Sequence, residues 1–273
     1  CVVRYFGCYS GKILEEMNGS SDMLPCAEDL GTVPECSDKV LKEFGITGID
    51  VMRWEKNLNQ EFKSARSYRV NSVATVSTHD SSSLPAWWKY EAGTIDEFAF
   101  SKVCENLNIR DNDYINLLEK LFGGNINGRL SWKKEIPNVY VLLETLKMNF
   151  EQAGEIVSIY LSSFSERNSF LKFIGLNESI PGDKVSVTFI KKSLEKISET
   201  ESIFSIQLLM EYLYLDKDIL QKYSEGNFRI NSPGTVSGDN WSMRIPVSLE
   251  ELLEMKINPD IKKLNRDSDR SSL

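Results

Sequence analysis

Three short apolar runs, each ending in charged or hydrogen-bonding residues, set the pattern of the first part of the chain: 23–27, 48–55 and 72–80. The first is short, apolar and bounded by polar residues, as a strand buried on both faces would be. After it, Thr32 and Glu35 have capping-box spacing, Pro34 falls in a first helical turn, and Val33, Val40, Leu41 and Phe44 supply an apolar face up to Gly45, a helix stop. This reads as strand, loop, helix. A short helix over 12–19, with Ile13, Leu14 and Met17 on one face, leads into it. The polar stretch 57–71 reads as a loop with one helical turn, with Phe62 and Tyr68 as isolated aromatics. A helical pattern then carries Trp87 and Trp88, of which at most one is expected to face a sheet.

From 95 to 199 the pattern is helical, with periodic segments at 111–122, closed by Gly123-Gly124, and at 138–150 and 155–164. The Gly/Asn alternation of 123–128 lacks the Lys-Ser/Thr and preceding strand of a phosphate loop. A last candidate strand spans 203–206, followed by Gln207 and a helical run over 208–215. Asn231-Ser232-Pro233-Gly234-Thr235 predicts a turn, since Pro fixes one φ and Gly permits a positive one. The charged, serine-rich end, 265–273, is expected to fray.

The ends of the apolar runs carry the candidate chemistry. Glu28 and Asp29 follow the first, Trp54 and Glu55 end the second, and His79 and Asp80 end the third. Taken alone, Glu28 and Asp29 read first as acidic residues favoured by a helix macrodipole. Three consecutive strands delivering such side chains at one end turn the reading toward an active site, because a barrel of parallel strands with helical crossovers builds its site on that face.

The strings Cys26-Ala27-Glu28-Asp29-Leu30-Gly31-Thr32-Val33-Pro34, 45–55 and 72–80, which ends in Thr78-His79-Asp80, with Asn231-Ser232-Pro233-Gly234-Thr235 and Asn240-Trp241-Ser242-Met243-Arg244 late in the chain, together resemble the 4-alpha-glucanotransferases (amylomaltases, glycoside hydrolase family 77). The resemblance implies an α/β fold, a partial (β/α)8 TIM barrel comprising about the second half, with a helical insertion between the last strands. The expected division is 1–94 for the strands bearing the motifs, 95–199 for the insertion packed on the active-site face, and 200–273 for the last strand and tail. It also implies roles. Glu28 is the general acid/base and Asp80 stabilises an oxocarbenium-like transition state, in a retaining double displacement that also needs a nucleophilic carboxylate. Asp29, Trp54, His79 and Asn231 are expected to contact sugar, and Trp241 and Arg244 to anchor the returning chain. The serines 81–83, where the family often has other residues, are read as helix-capping only.

In that family the nucleophile is an Asp on an earlier strand. The aspartate preceding Glu28 here, Asp22, has the wrong context, so the chain is expected to be a fragment whose partner is the missing N-terminal half of the barrel. Maltooligosaccharides and alpha-1,4-glucans are the expected substrates; a non-catalytic glucan-binding fragment and an alpha-amylase-like hydrolase are the alternatives.

Composition adjusts the picture only slightly. A net charge of −8 disfavours nucleic acid and suits a neutral substrate. No apolar run is long enough for a membrane span. The five cysteines form no close-spaced zinc or redox pair and read as reduced thiols of a cytoplasmic protein. Neither a metal nor a cofactor is expected.

Overall fold

The computed structural model describes residues 2–31, 33–34, 36–57, 61–126, 128–176, 185–223 and 229–270, with the backbone alone for 2–10. Helix α1, Val2–Gly19, is longer than the expected 12–19 and packs on α2, Ser37–Phe44, where the Asn18 amide donates to Phe44 O at 2.8 Å. Gly45 ends α2 at φ +64°, as the pattern predicts. The other details of this segment differ. Pro34 precedes the helix instead of opening it, no α2 residue is buried, and the capping-box pair Thr32 and Glu35 lies outside the described residues.

The strands are shorter than the apolar runs. Residues 23–27 make only an isolated parallel bridge, Cys26 to Thr47, and Met23 and Leu24 are exposed, so the expectation of a strand buried on both faces fails. The second run is strand β1 only over Gly48–Val51; Met52 to Trp54 turn. The third is β2, Ser72–Thr75. Between them Phe62 and Tyr68 are buried in the core, not isolated. Helix α3, Leu84–Tyr90, buries both Trp87 and Trp88, because the chain packs on two sides of it: Trp87 meets Phe170 at 4.8 Å and Trp88 meets Phe189 at 4.9 Å.

The next segment is not wholly helical. Strand β3, Ile95–Asp96, leads into α4, Glu97–Asn106, and α5, Asp111–Leu121. Instead of stopping at a glycine cap, α5 passes directly into β4, Phe122–Ile126, which turns at Gly128 (φ +77°) into β5, Arg129–Trp132. These strands form an antiparallel sheet in the order β3-β5-β4. Sparse burial explains why the pattern hid it: β4 buries Phe122 alone, and β5 buries Leu130 alone. Helices α6, Val139–Leu146, and α7, Gly154–Phe164, close over this sheet around a cluster that includes Phe100, Leu121, Leu142, Ile156 and Tyr160.

Helices α8, Glu166–Phe173, and α9, Val187–Ser198, return to the first core, which Met52, Ala74, Trp87, Trp88, Phe170, Phe189 and Tyr214 share. Strand β6, Phe204–Ser205, pairs parallel with β2, giving the order β1-β2-β6. Ala74 and Val76 belong to the core on one face. Of Ile49, Val73 and Phe204, aligned across the other, the first two are only partly covered and Phe204 is exposed. Helices α10, Leu209–Leu213, and α11, Lys217–Tyr223, follow. Then come α12, Leu249–Glu254, with a full capping box at Ser248 and Glu251, and α13, Asn258–Asp267. The chain beyond is tied down to Arg270, whose guanidinium donates to Ser198 O (2.6 Å), Ser202 O (2.9 Å) and Thr200 O (2.6 Å), against the expected fraying. Residues 271–273 lie outside the described residues.

Among the described residues no helix is long and apolar enough to cross a membrane. Cys26, Cys36 and Cys104 are free thiols, and burial pushes that of Cys104 up to about 11.

Candidate active site

Three of the expected site residues converge. Glu28, His79 and Asp80 each place a polar side-chain atom within 4.8 Å of the others. Asn231 joins them from far along the sequence. Its side chain donates to Asp80 Oδ1 at 2.6 Å and its backbone N–H to His79 O at 2.9 Å. The turn after it forms as its sequence predicts, with Thr235 N–H donating to Ser232 O at 3.2 Å and Gly234 at φ +73°. Trp241 holds the returning chain by donating its N–H to Ile230 O at 2.7 Å, and its indole lies 5.0 Å from the His79 ring while remaining 65% exposed. An aromatic beside the only histidine was legible as a tryptophan but not as a neighbour; the contact spans 162 positions.

Asp29 and Trp54 are placed differently. They line an open groove of about 660 Å³ with Pro34, Glu55, Lys63 and Arg69, a lining that includes neither Glu28, His79 nor Asp80. Trp54, 51% exposed, offers its ring to that groove. The Asp29 carboxylate is engaged by the protein itself, accepting from Arg69 Nη1 at 2.5 Å and from the Ile49 N–H at 2.8 Å. Burial raises its pKa, but those hydrogen bonds and the Arg69 charge outweigh it and hold the carboxyl below the usual range. Arg69 bridges on to Asp50, with Nε to Oδ1 at 2.8 Å, and Asp50 also accepts from Ser72 Oγ at 3.0 Å. Gly48 is required where these groups meet, since a Cβ there would sit 2.6 Å from both Arg69 Nη1 and Asp29 Oδ2. Asp29 thus braces the loop on which Glu28 stands.

The loop bearing His79 and Asp80 is braced from inside. Gln207 accepts from Val76 N–H at 2.8 Å. Glu211 Oε1 accepts from Ser77 Oγ at 2.5 Å and from Leu84 N–H at 2.9 Å. Arg53, buried, donates to Ser82 Oγ at 2.8 Å and to Ser82 O at 2.7 Å. Burial lowers the Arg53 pKa to about 10, offset in part by the charges of Glu91 and Glu211. Ser81 and Ser82 are therefore loop ties. Ser81 Oγ accepts from Thr78 N–H at 2.9 Å, and Ser83, the N-cap residue of α3, makes no side-chain cap bond. Sequence reasoning missed Arg53, Arg69 and Glu211. The lone carboxylate in the apolar run 208–215 was the one available signal.

The imidazole and two carboxylates are donor types that a divalent cation also accepts. The Asn231 amide aimed at Asp80 Oδ1 instead orients that oxygen for hydrogen bonding.

A parallel sheet with covering helices and an imidazole and two carboxylates gathered at one end defines an α/β protein with a candidate active site. The family model described as 4-alpha-glucanotransferase (glycoside hydrolase family 77) matches residues 1–249. The 4-alpha-glucanotransferase of Chlamydia pneumoniae is 30% identical over 257 residues, covering 93% of this chain and 34% of that protein. That of Chlamydia trachomatis serovar D is 28% identical over 242 residues, covering 88% and 32%. Among solved structures, an amylomaltase from Streptococcus agalactiae in complex with acarbose aligns with a TM-score of 0.51 at 17% identity, over 96% of this chain and 35% of that one, a likeness of fold. The chain belongs to the 4-alpha-glucanotransferase family, and spans about a third of the length of the relatives it matches.

Proposed function

We propose that this chain carries the acid/base part of a 4-alpha-glucanotransferase active site, which cleaves an alpha-1,4 bond in a maltooligosaccharide or glucan and passes the glucosyl segment to another sugar's hydroxyl. The single observation that carries the reading is the meeting of Glu28, His79 and Asp80 within 4.8 Å. Glu28, exposed, protonates the departing glycosidic oxygen and later takes the proton of the incoming hydroxyl. Asp80, oriented by Asn231, holds sugar hydroxyls as positive charge develops at the ring, and His79 donates to the same sugar. Trp54 offers an aromatic face to sugar in the groove beside the Glu28 loop, and Asp29 fixes that loop. The retaining mechanism requires a nucleophilic carboxylate, which this reading assigns to a segment outside these 273 residues.

The same reading takes the parallel strands as about the second half of a (β/α)8 barrel. The partly covered row of Ile49, Val73 and Phe204 faces where the remaining strands would close it. It keeps 1–94, 95–199 and 200–273 as strand region, insertion and last strand with tail.

The test is incubation with maltotriose, alone and after extension with the upstream segment to which this reading assigns the nucleophile, followed by chromatography. Glucose together with longer maltooligosaccharides is the expected result for the extended protein; shorter sugars alone would mean a hydrolase, and no product a glucan-binding chain. Glu28→Gln should lower transfer by at least about 100-fold. Near-normal transfer by that variant overturns the assignment.

A further inference from the structure

The carboxyl of Glu211 takes no part in the chemistry above, yet it is 1% exposed in the core. Its Oε1 accepts from Ser77 Oγ at 2.5 Å and from Leu84 N–H at 2.9 Å. Those two donors bracket the segment that holds His79 and Asp80. We propose that Glu211 is a positioning residue that sets the shape of the His79–Asp80 loop by gathering its entry and its exit onto one oxygen atom. The inference rests on the reading of His79 and Asp80 as the groups that grip sugar.

The geometry separates the acceptor from the charge. Glu211 Oε2 is buried and has no hydrogen-bond partner among the described residues. One oxygen therefore makes the contacts, where a carboxylate holding a cation would use its charge. Burial raises the carboxyl's pKa, against the opposing pull of its two hydrogen bonds and of Arg53, which agrees with an acceptor role that a neutral side chain can fill. In a dry interior each such bond is strong, and a donor left without its acceptor is costly. The loop between the donors has few alternatives, because Gln207 holds Val76 before it and Arg53 holds Ser82 within it. Asp80 then presents Oδ1 to Asn231, the contact that ties the loop to the late turn.

The chain contains one histidine, so the imidazole proton resonances of His79 report this loop without any assay of turnover. Glu211→Gln keeps the Oε1 acceptor, whereas Glu211→Met keeps the length and removes it. His79 resonances of Glu211→Gln should superimpose on those of the unaltered chain, and those of Glu211→Met should be displaced. In the maltotriose assay of the extended protein, kcat should fall about 10- to 100-fold in Glu211→Met with KM changed less than about threefold, and Glu211→Gln should restore it. If Glu211→Met shows no cooperative melt, Ser77→Ala removes one arm of the pair and should displace the same resonances. Folded Glu211→Met with His79 unmoved, Ser77→Ala with His79 unmoved, or Glu211→Gln displaced as far as Glu211→Met, would each overturn the proposal. An unaltered protein without transferase activity would count against the proposed function alone, since the His79 resonances are read without turnover.

Discussion

Replacing Arg69 by methionine tests the brace beneath Glu28. The guanidinium reaches two carboxylates at once, Asp29 at 2.5 Å and Asp50 at 2.6 Å, whose side chains are only 10% and 2% exposed. Methionine keeps most of the apolar stem and leaves both carboxylates without their cation. Removing one partner of a buried pair costs about 3–5 kcal/mol, and because Arg69 is itself 31% exposed the expected loss is about 2–3 kcal/mol. For a chain of this size that is a fall of about 4–5 °C in Tm. Arg69→Lys, which keeps the charge but not the fork, should lie between the two. The measurement is urea unfolding of both variants, followed by tryptophan fluorescence, as a function of pH. The Asp29 carboxyl is held below its ordinary value of 3.8 in the fold, so its contribution is fully present above that pH and is lost as pH falls through the lowered folded value. The gap between the wild type and Arg69→Met should therefore narrow in strong acid. A variant within about 0.5 kcal/mol of the wild type at neutral pH would refute the reasoning, as it would place Asp29 and Asp50 in surroundings wet enough to screen them.

Other substitutions probe the remaining joints. Gly48→Ala puts a Cβ 2.6 Å from Arg69 Nη1 and Asp29 Oδ2, so it should destabilise by about 1–3 kcal/mol in thermal melts and by less when combined with Arg69→Met, which removes the guanidinium clash and leaves that with Asp29. Glu211→Gln should gain stability relative to the wild type as pH rises above 4.5. A carboxyl whose pKa is raised in the fold binds a proton there more tightly than in the unfolded chain, so its stabilisation is present at low pH and fades as pH rises toward the folded value; parallel pH profiles in urea unfolding would refute this. Arg270→Ala should expose the carbonyls of Ser198, Thr200 and Ser202 and speed amide exchange around β6, as hydrogen exchange can measure.

The sequence by itself determined where chain direction changes and which residue types stand at strand ends. Gly45 and the Ser232–Thr235 turn follow from local backbone preferences, and Glu28, His79 and Asp80 were legible because their motifs are contiguous. The lengths of the strands were not legible, because an apolar run continues past the end of the regular strand: Met52 and Val76 are core residues just beyond β1 and β2. The antiparallel sheet escaped notice for the opposite reason, that its strands bury too few residues to show alternation. Only the tertiary structure decided that Trp87 and Trp88 are both buried, that Asp29 is held by Arg69, and that Glu211 serves a loop 127 positions away. Each depends on contacts between segments distant in sequence, where what matters is the partner a buried polar or aromatic group finds, and pattern along one segment carries no record of that partner.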